Sequence, residues 1–273
     1  MTAEVGNGPL LYISNPSGSV NIYRAGSRNQ SPIGQIADLE SPGGLAVDRN
    51  GNLWVYDNGA KPVIKGFHRG SLTAFASLQA EPGFGLAVDR RGTIYAATSR
   101  SVVQVYARGS KTPTKSLVDP GISGLWNVAV DGAGNVFVNG FQYVSSETFW
   151  PVDEIPATST AVVRLMYLGV YGGLAIARGD SLVVSSGSQI SVFEKPYRGS
   201  PTSQFSYPSY YGVSLAVAVG SDGNGVWSMV DNDKRQMWAA KFNLVTGFEL
   251  DQTSPQGIDA NGDGVAVDPA YPF

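Results

Sequence analysis

Six copies of one hairpin along a chain of 273 residues predict an all-β fold, a six-bladed β-propeller built from four-stranded blades. Three observations carry this prediction. The stretch Gly44-Leu45-Ala46-Val47-Asp48-Arg49-Asn50-Gly51-Asn52-Leu53-Trp54-Val55-Tyr56 is an apolar run, a tight Asp/Asn/Gly turn and a second run of bulky residues, which is the pattern of a β-hairpin. It returns at Gly85 to Ala96 and Asn127 to Val138. Weaker copies are Gly173-Leu174-Ala175-Ile176 with Leu182-Val183-Val184, Val217-Ala218-Val219 with Val226-Trp227, and Gly264 to Asp268. The third apolar position of each copy, Val47, Val88, Val130, Ile176, Val219 and Val267, recurs after 41, 42, 46, 43 and 48 residues. Four short strands in such a span are a propeller blade rather than a helical solenoid unit. Composition agrees, since 34 Gly, 16 Pro and 13 Tyr describe turns and half-buried strands, and 42% apolar residues can fill a core.

From the N-terminus, Leu10 to Asn15 has the character of a second hairpin strand without its first. Val20 to Tyr23 and Pro32 to Ile36 supply two more strands. After the hairpin at 44–56 come Val63 to Phe67 and Leu72 to Ala76; after the one at 85–96 come Val102 to Tyr106 and Lys115 to Val118. The last copy holds only its first strand. The N-terminal strands and that C-terminal strand are therefore expected to complete a sixth blade, making residues 1–273 a single propeller domain, because a blade buries its faces only against its neighbours. The copy from 126 to about 168 departs from the pattern. Gly140 to Thr148 reads as a long loop, an insertion that either carries specificity or is simply tolerated. Pro151 marks an irregular or edge-proximal segment, because proline cannot donate to a central ladder.

With 19 basic against 22 acidic side chains the net charge is −3, and no chain-wide field attracts nucleic acid or anionic membrane. The absence of cysteine excludes disulfides, thiolate metal sites and a cysteine nucleophile. No apolar run approaches the ~20 residues of a membrane span. Low charge with abundant Ser, Thr, Tyr and Gly suits an extracellular or periplasmic protein. Met1 to Gly8 lacks the basic start and apolar centre of a signal peptide, so an export signal is expected to lie outside this chain.

At the Gly-Leu-Ala-Val-Asp-x-x-Gly-Asn-Leu-Trp-Val units the chain resembles NHL-repeat β-propellers, over essentially all six repeats. The resemblance implies that the Gly-Leu-Ala-Val strand is innermost and lines a central channel. It also implies that residues just before the inner strand, and those between the second and third strands, gather around the channel mouth, where a ligand would bind. The first set is Phe84, Leu125, Trp126, Tyr171, Tyr210, Tyr211 and Asp263, with Asn127 beside Trp126; the second is Asn15, Asp57, Ser99, Asn139, Ser185, Asp231, Asn232 and Asp233. Rings with a few polar groups suit sugars and other flat amphipathic ligands, while the same rings are equally expected as caps over a propeller core. The expected role is a binding or interaction module for a small molecule, glycan or protein, with the chain a monomer and Phe84, Trp126, Asn127, Tyr171, Tyr210, Tyr211, Asp231 and Asp263 the ligand-facing set.

Enzyme families that resemble this fold carry their chemistry on recognisable residues. Lyase-type propellers depend on several histidines, whereas this chain has one, His68, expected at the surface of Gly66-Phe67-His68-Arg69-Gly70. Lactonase-type propellers hold a divalent cation at the mouth through Glu, Asn and Asp, the Asp standing before the Gly of an inner strand. Asp263-Gly264 looks like that element, with Asn127 or Asp231 as further ligands, but no Glu-Gly-Pro segment accompanies it. Asp259-Ala260-Asn261-Gly262-Asp263-Gly264 matches the first half of a calcium loop, and Ala270 stands where the closing Glu belongs. No cofactor is expected beyond a weakly held calcium at Asp259, Asn261 and Asp263. The Asp48 to Asn52 and Asp222 to Gly225 segments read as hairpin turns first.

Overall fold

The computed structural model describes residues 8–15, 17–25, 31–159, 161–206, 213–220, 223, 225–231, 237–246, 249–253 and 264–268; for 213–215, 227–231, 237–238 and 249–253 it describes the backbone alone. Six four-stranded antiparallel sheets form a propeller. Blade 1 has the order β24 (Val265–Asp268), β1 (Leu10–Asn15), β2 (Ser19–Arg24) and β3 (Gly34–Ile36). Blade 2 comprises β4 (Pro42–Val47), β5 (Leu53–Asp57), β6 (Val63–Phe67) and β7 (Ala74–Gln79), and blade 3 comprises β8 (Gly83–Val88), β9 (Ile94–Thr98), β10 (Val102–Tyr106) and β11 (Lys115–Val118). Blade 4 follows with β12 (Gly124–Val130), β13 (Val136–Val144), β14 (Glu147–Ile155) and β15 (Val163–Leu168), and blade 5 with β16 (Leu174–Ala177), β17 (Ser181–Ser186), β18 (Gln189–Phe193) and β19 (Ser203–Ser206). Blade 6 holds β20 (Val213–Val219), β21 (Gly225–Asp231), β22 (Met237–Asn243) and β23 (Glu249–Thr253).

The ring closes as the sequence predicts. β24 pairs antiparallel with β1 in the register Leu10↔Asp268, Leu11↔Val267, Tyr12↔Ala266 and Ile13↔Val265. Strand alternation then feeds two interfaces at once. Leu10 and Tyr12 pack with Leu45, Val47, Leu53 and Val55 of blade 2, while Leu11 and Ile13 pack with Ala216 and Ala239 of blade 6. That double burial explains why this strand reads as an unbroken apolar run.

The repeated turn has one mechanism. Asp48 Oδ1 accepts the N–H groups of Asn50 (2.8 Å) and Asn52 (3.0 Å); Asp89 Oδ1 accepts Arg91 (2.9 Å) and Thr93 (2.8 Å); Asp131 Oδ1 accepts Ala133 and Asn135 (both 2.9 Å). Each aspartate thereby replaces two backbone partners in its turn, and the glycine of each turn takes a left-handed φ of 78°, 80° or 88°. Of the Asp222 to Gly225 turn, Asp222 and Asn224 lie outside the described residues.

One expectation is corrected. Gly140 to Thr148 is not a loop: β13 and β14 each run nine residues, and the pairing Val144↔Glu147 closes them over the two-residue turn Ser145-Ser146. Alternating bulky residues allow the hairpin to zip past the blade, with Ser145 at φ 57°. Pro151 does interrupt the ladder as expected, since pairing with β13 stops between Val152 and Phe149.

Candidate ligand site at the channel mouth

The inner strands leave little open space. Apolar residues from all six blades, Leu45, Leu86, Val128, Leu174, Val217 and Val265 among them, line a channel of about 90 Å³. A narrow bore lined by apolar side chains packs the ring and offers a ligand few polar groups. The mouth is different.

Phe84 and Trp126 stand there because of two β-bulges. β8 pairs Gly83↔Thr98 and Leu86↔Ala96, so one residue too many lies opposite Ala97; in β12, Trp126 is the unpaired residue between Leu125 and Asn127. A bulge re-aims its side chain out of the ladder, and here it lifts two rings toward each other. Their centroids are 4.7 Å apart at 15°, a parallel stack. Tyr171, in the approach to β16, lies 5.9 Å from Trp126, and Trp150 of β14 lies 5.5 Å from Tyr171 at 60°. All four rings are half-buried. The blade 2 bulge, between Pro42 and Leu45, carries Gly43 and Gly44 instead of a ring.

Two asparagines hold the row in place. Asn127 Nδ2 and Asn139 Nδ2 both donate to the Gly172 carbonyl, at 3.0 and 2.8 Å, and Asn139 Oδ1 accepts the Asn127 N–H at 3.0 Å. Blade 4 thus grips the backbone directly after Tyr171. The Tyr171 hydroxyl and the indole N–H groups of Trp126 and Trp150 make no hydrogen bond among the described residues.

Several residues expected to face a ligand do not. Asn139 lies within β13 and is 2% exposed; Ser185 lies within β17, fully buried, with its Oγ accepting the Gly173 N–H at 2.7 Å. Asp57 ends β5 at 3% exposure, taking the N–H groups of Glu40 (2.8 Å) and Ser41 (2.9 Å) and the ammonium of Lys65 (2.8 Å); Asn15 is 2% exposed at the end of β1. Asn139, Ser185 and Asp57 satisfy backbone groups, which alternation alone does not disclose. Leu125 is likewise fully buried. Tyr210, Tyr211, Asn232, Asp233, Asp259, Asn261 and Asp263 lie outside the described residues, and of Asp231 only the backbone, ending β21, is described. His68 is at the surface, its Nδ1 2.9 Å from Asn52 Oδ1 and its ring stacked on Phe75 at 4.3 Å. Trp150, which completes the row, was not singled out by sequence; a tryptophan beside a mid-strand proline was its signal.

A buried charge cluster underlies the crossover that delivers Trp126. Asp119 and Asp153 are 0% and 1% exposed; Asp153 is ion-paired with Arg164, whose Nη2 also donates to the Gly121 carbonyl at 3.2 Å and whose guanidinium lies 4.7 Å over Tyr167. Asp119 Oδ1 accepts the Gly121 N–H at 2.8 Å, while its Oδ2 meets no donor. Burial first, then the facing Asp153 carboxyl, pushes the Asp119 acid up to about 7, against the opposing pull of Gly121 N–H and Arg164. As a neutral acid its Oδ2–H can donate to Asp153. Unfolded, the group returns to 3.8, so between about pH 4 and pH 7 only the folded chain holds the proton. Its stabilising contribution is full below that window and lost as pH rises through about 7. Asp119→Asn is expected to gain on wild type by on the order of 2 kcal/mol as pH rises from about 5 to about 8. Parallel thermal melts check this, and curves that stay a constant distance apart would contradict it.

No family model matches the chain, and no curated protein does. Among solved structures, a protein of unknown function from Bacteroides caccae superposes with a TM-score of 0.69 over 96% of this chain and 99% of that chain, at 9% identity. At that identity the likeness establishes the fold alone. A fold of this kind selects no activity by itself. The chain is a six-bladed β-propeller.

Proposed function

We propose that this chain is an extracytoplasmic propeller of the NHL-repeat type, a single domain working as a monomer, that binds its ligand on the aromatic row at the channel mouth. The observation that carries this reading is the continuous run Phe84, Trp126, Tyr171 and Trp150, with three ring donors unused among the described residues. Flat faces stack on the C–H surface of a sugar while indole and phenol groups reach its hydroxyls, so a glycan is favoured over a wholly apolar ligand. A glycan array followed by calorimetry tests the reading. Trp126→Ala removes the centre of the stack and is expected to weaken the best ligand roughly tenfold, about 1.4 kcal/mol, with the fold intact. A folded variant that binds unchanged would refute the site, and one that unfolds would make the rings a core cap.

The alternative, a lactonase-like or lyase-like enzyme with a divalent cation at the mouth, would draw on Asp231, Asp263 and Asn127. Asn127 commits its Nδ2 to Gly172, which leaves Oδ1 for a cation. Elemental analysis for calcium, with Asp263→Ala as comparison, distinguishes this reading from glycan binding.

A further inference from the structure

A second groove lies between blades 2 and 3, at the end of the inner strands opposite to Phe84. It measures about 450 Å³ and carries five cations, Arg49, Arg90, Arg91, Arg108 and Lys111, contributed by both blades. One carboxylate shares it, Asp48. That group is 8% exposed and fully engaged, accepting Asn50 N–H, Asn52 N–H, Asn52 Nδ2 (2.9 Å) and Trp54 Nε1 (3.3 Å). No carboxylate lies within ion-pair distance of Arg49, Arg91, Arg108 or Lys111 among the described residues. A chain of net charge −3 therefore concentrates positive charge at one groove.

The groove wall is also an open sheet edge. β7 is the outermost strand of its blade, with Ala74, Phe75, Ser77 and Gln79 exposed. The Gln79 N–H points away from β6 and is taken by the Lys111 carbonyl at 3.0 Å, whereas the Ala80 N–H turns back to Pro62 at 3.2 Å. By the alternation of antiparallel strands the Ser77 N–H and C=O face the groove too, and they meet no partner among the described residues. Beside them Phe75 is 45% exposed and meets Trp54 edge-on at 5.5 Å, an apolar floor among the cations.

We propose that this groove binds an extended acidic peptide, added as a strand along β7, its carboxylates facing Arg91 and Arg108 and an apolar side chain resting on Phe75. An open edge supplies main-chain hydrogen bonds and alternate side chains supply specificity. A longer polyanion such as nucleic acid fits less well, because it would run beyond the cations onto a surface whose overall charge is negative like its own.

Titration of the whole chain with a fluorescein-labelled peptide of three Glu-Val repeats, followed by anisotropy, tests this. Saturable binding is expected, weakened at least ~10-fold by the surface double variant Arg91→Glu/Arg108→Glu and several-fold by about 0.3 M salt. Ser77→Pro, tolerable on an edge strand, is expected to abolish it, and N-methylation of alternate peptide amides does the same without touching the protein. The proposal is overturned if the peptide does not bind at about 1 mM, if a Lys-Val peptide binds as well, if the charge reversal leaves binding unchanged, or if a six-nucleotide single strand binds in its place. Because the groove and the mouth lie at opposite ends of the inner strands, Trp126→Ala should leave this peptide's binding unaffected.

Discussion

Removal of Gly264 to Phe273 is expected to abolish the cooperative unfolding transition. The deletion takes out β24, the strand that supplies the inner edge of blade 1 and touches blades 6 and 2 as well. Val265, Ala266 and Val267 are 3–4% exposed, and their loss opens Leu11 and Ile13 to water. Two buried valines at about 2 kcal/mol each and four ladder pairs at about 1 kcal/mol each come to roughly 8 kcal/mol. That is comparable with the whole stability of an ordinary domain, about 5–15 kcal/mol. Asp268 would go too, and with it the ion pair to Arg69 of blade 2. Differential scanning calorimetry gives the answer: a broad, weak transition is expected, and a truncated chain melting as sharply and as hot as the intact one would place closure elsewhere.

Gly44→Val is expected to be severely damaging. A Cβ at Gly44 would stand 2.1 Å from the Phe84 carbonyl oxygen, 3.0 Å from Leu86 N and 3.1 Å from Gly85 Cα. All three are backbone atoms, so no rotamer change gives relief and blades 2 and 3 must part. The cost is expected at about 3 kcal/mol or more, with Tm lower by roughly 5–10 °C. Gly169→Ala is the matched control, since nothing lies within 4 Å of its Cβ position, and its melt should coincide with wild type. The displaced atom belongs to Phe84, so if the aromatic row binds a glycan as proposed, that affinity should fall in any folded Gly44 variant. A Gly44 variant as stable as the control would show that the inner strands are not in close backbone contact.

Much of the architecture was legible because its signals are local. Alternation of period two, the Asp-x-x-Gly turn and the spacing of Val47, Val88 and Val130 each depend on residues a few positions apart, and the incomplete repeat at each terminus announced how the ring closes. The site was legible in part. Phe84, Trp126 and Tyr171 stood out as bulky residues before inner strands, and they do form one row. Asn139 and Ser185, expected to face a ligand, are buried instead, because nothing local says that a strand continues inward and that its polar group must satisfy backbone at or beside the inner strand.

The sequence by itself thus determined the number of blades, most of their strands and the closing strand, since each blade is written in its own stretch of the repeat; the long hairpin of blade 4 was the exception. Tertiary structure alone decided which rings meet, where Trp150 joins them, how Asp119, Asp153 and Arg164 come to share one buried pocket, and that the arginines of two blades border one groove. Those partners are contributed by different blades, or by strands of one blade separated by turns of uneven length. Their proximity is set by bulges and by the packing of one blade on the next, and no periodicity along the chain encodes either.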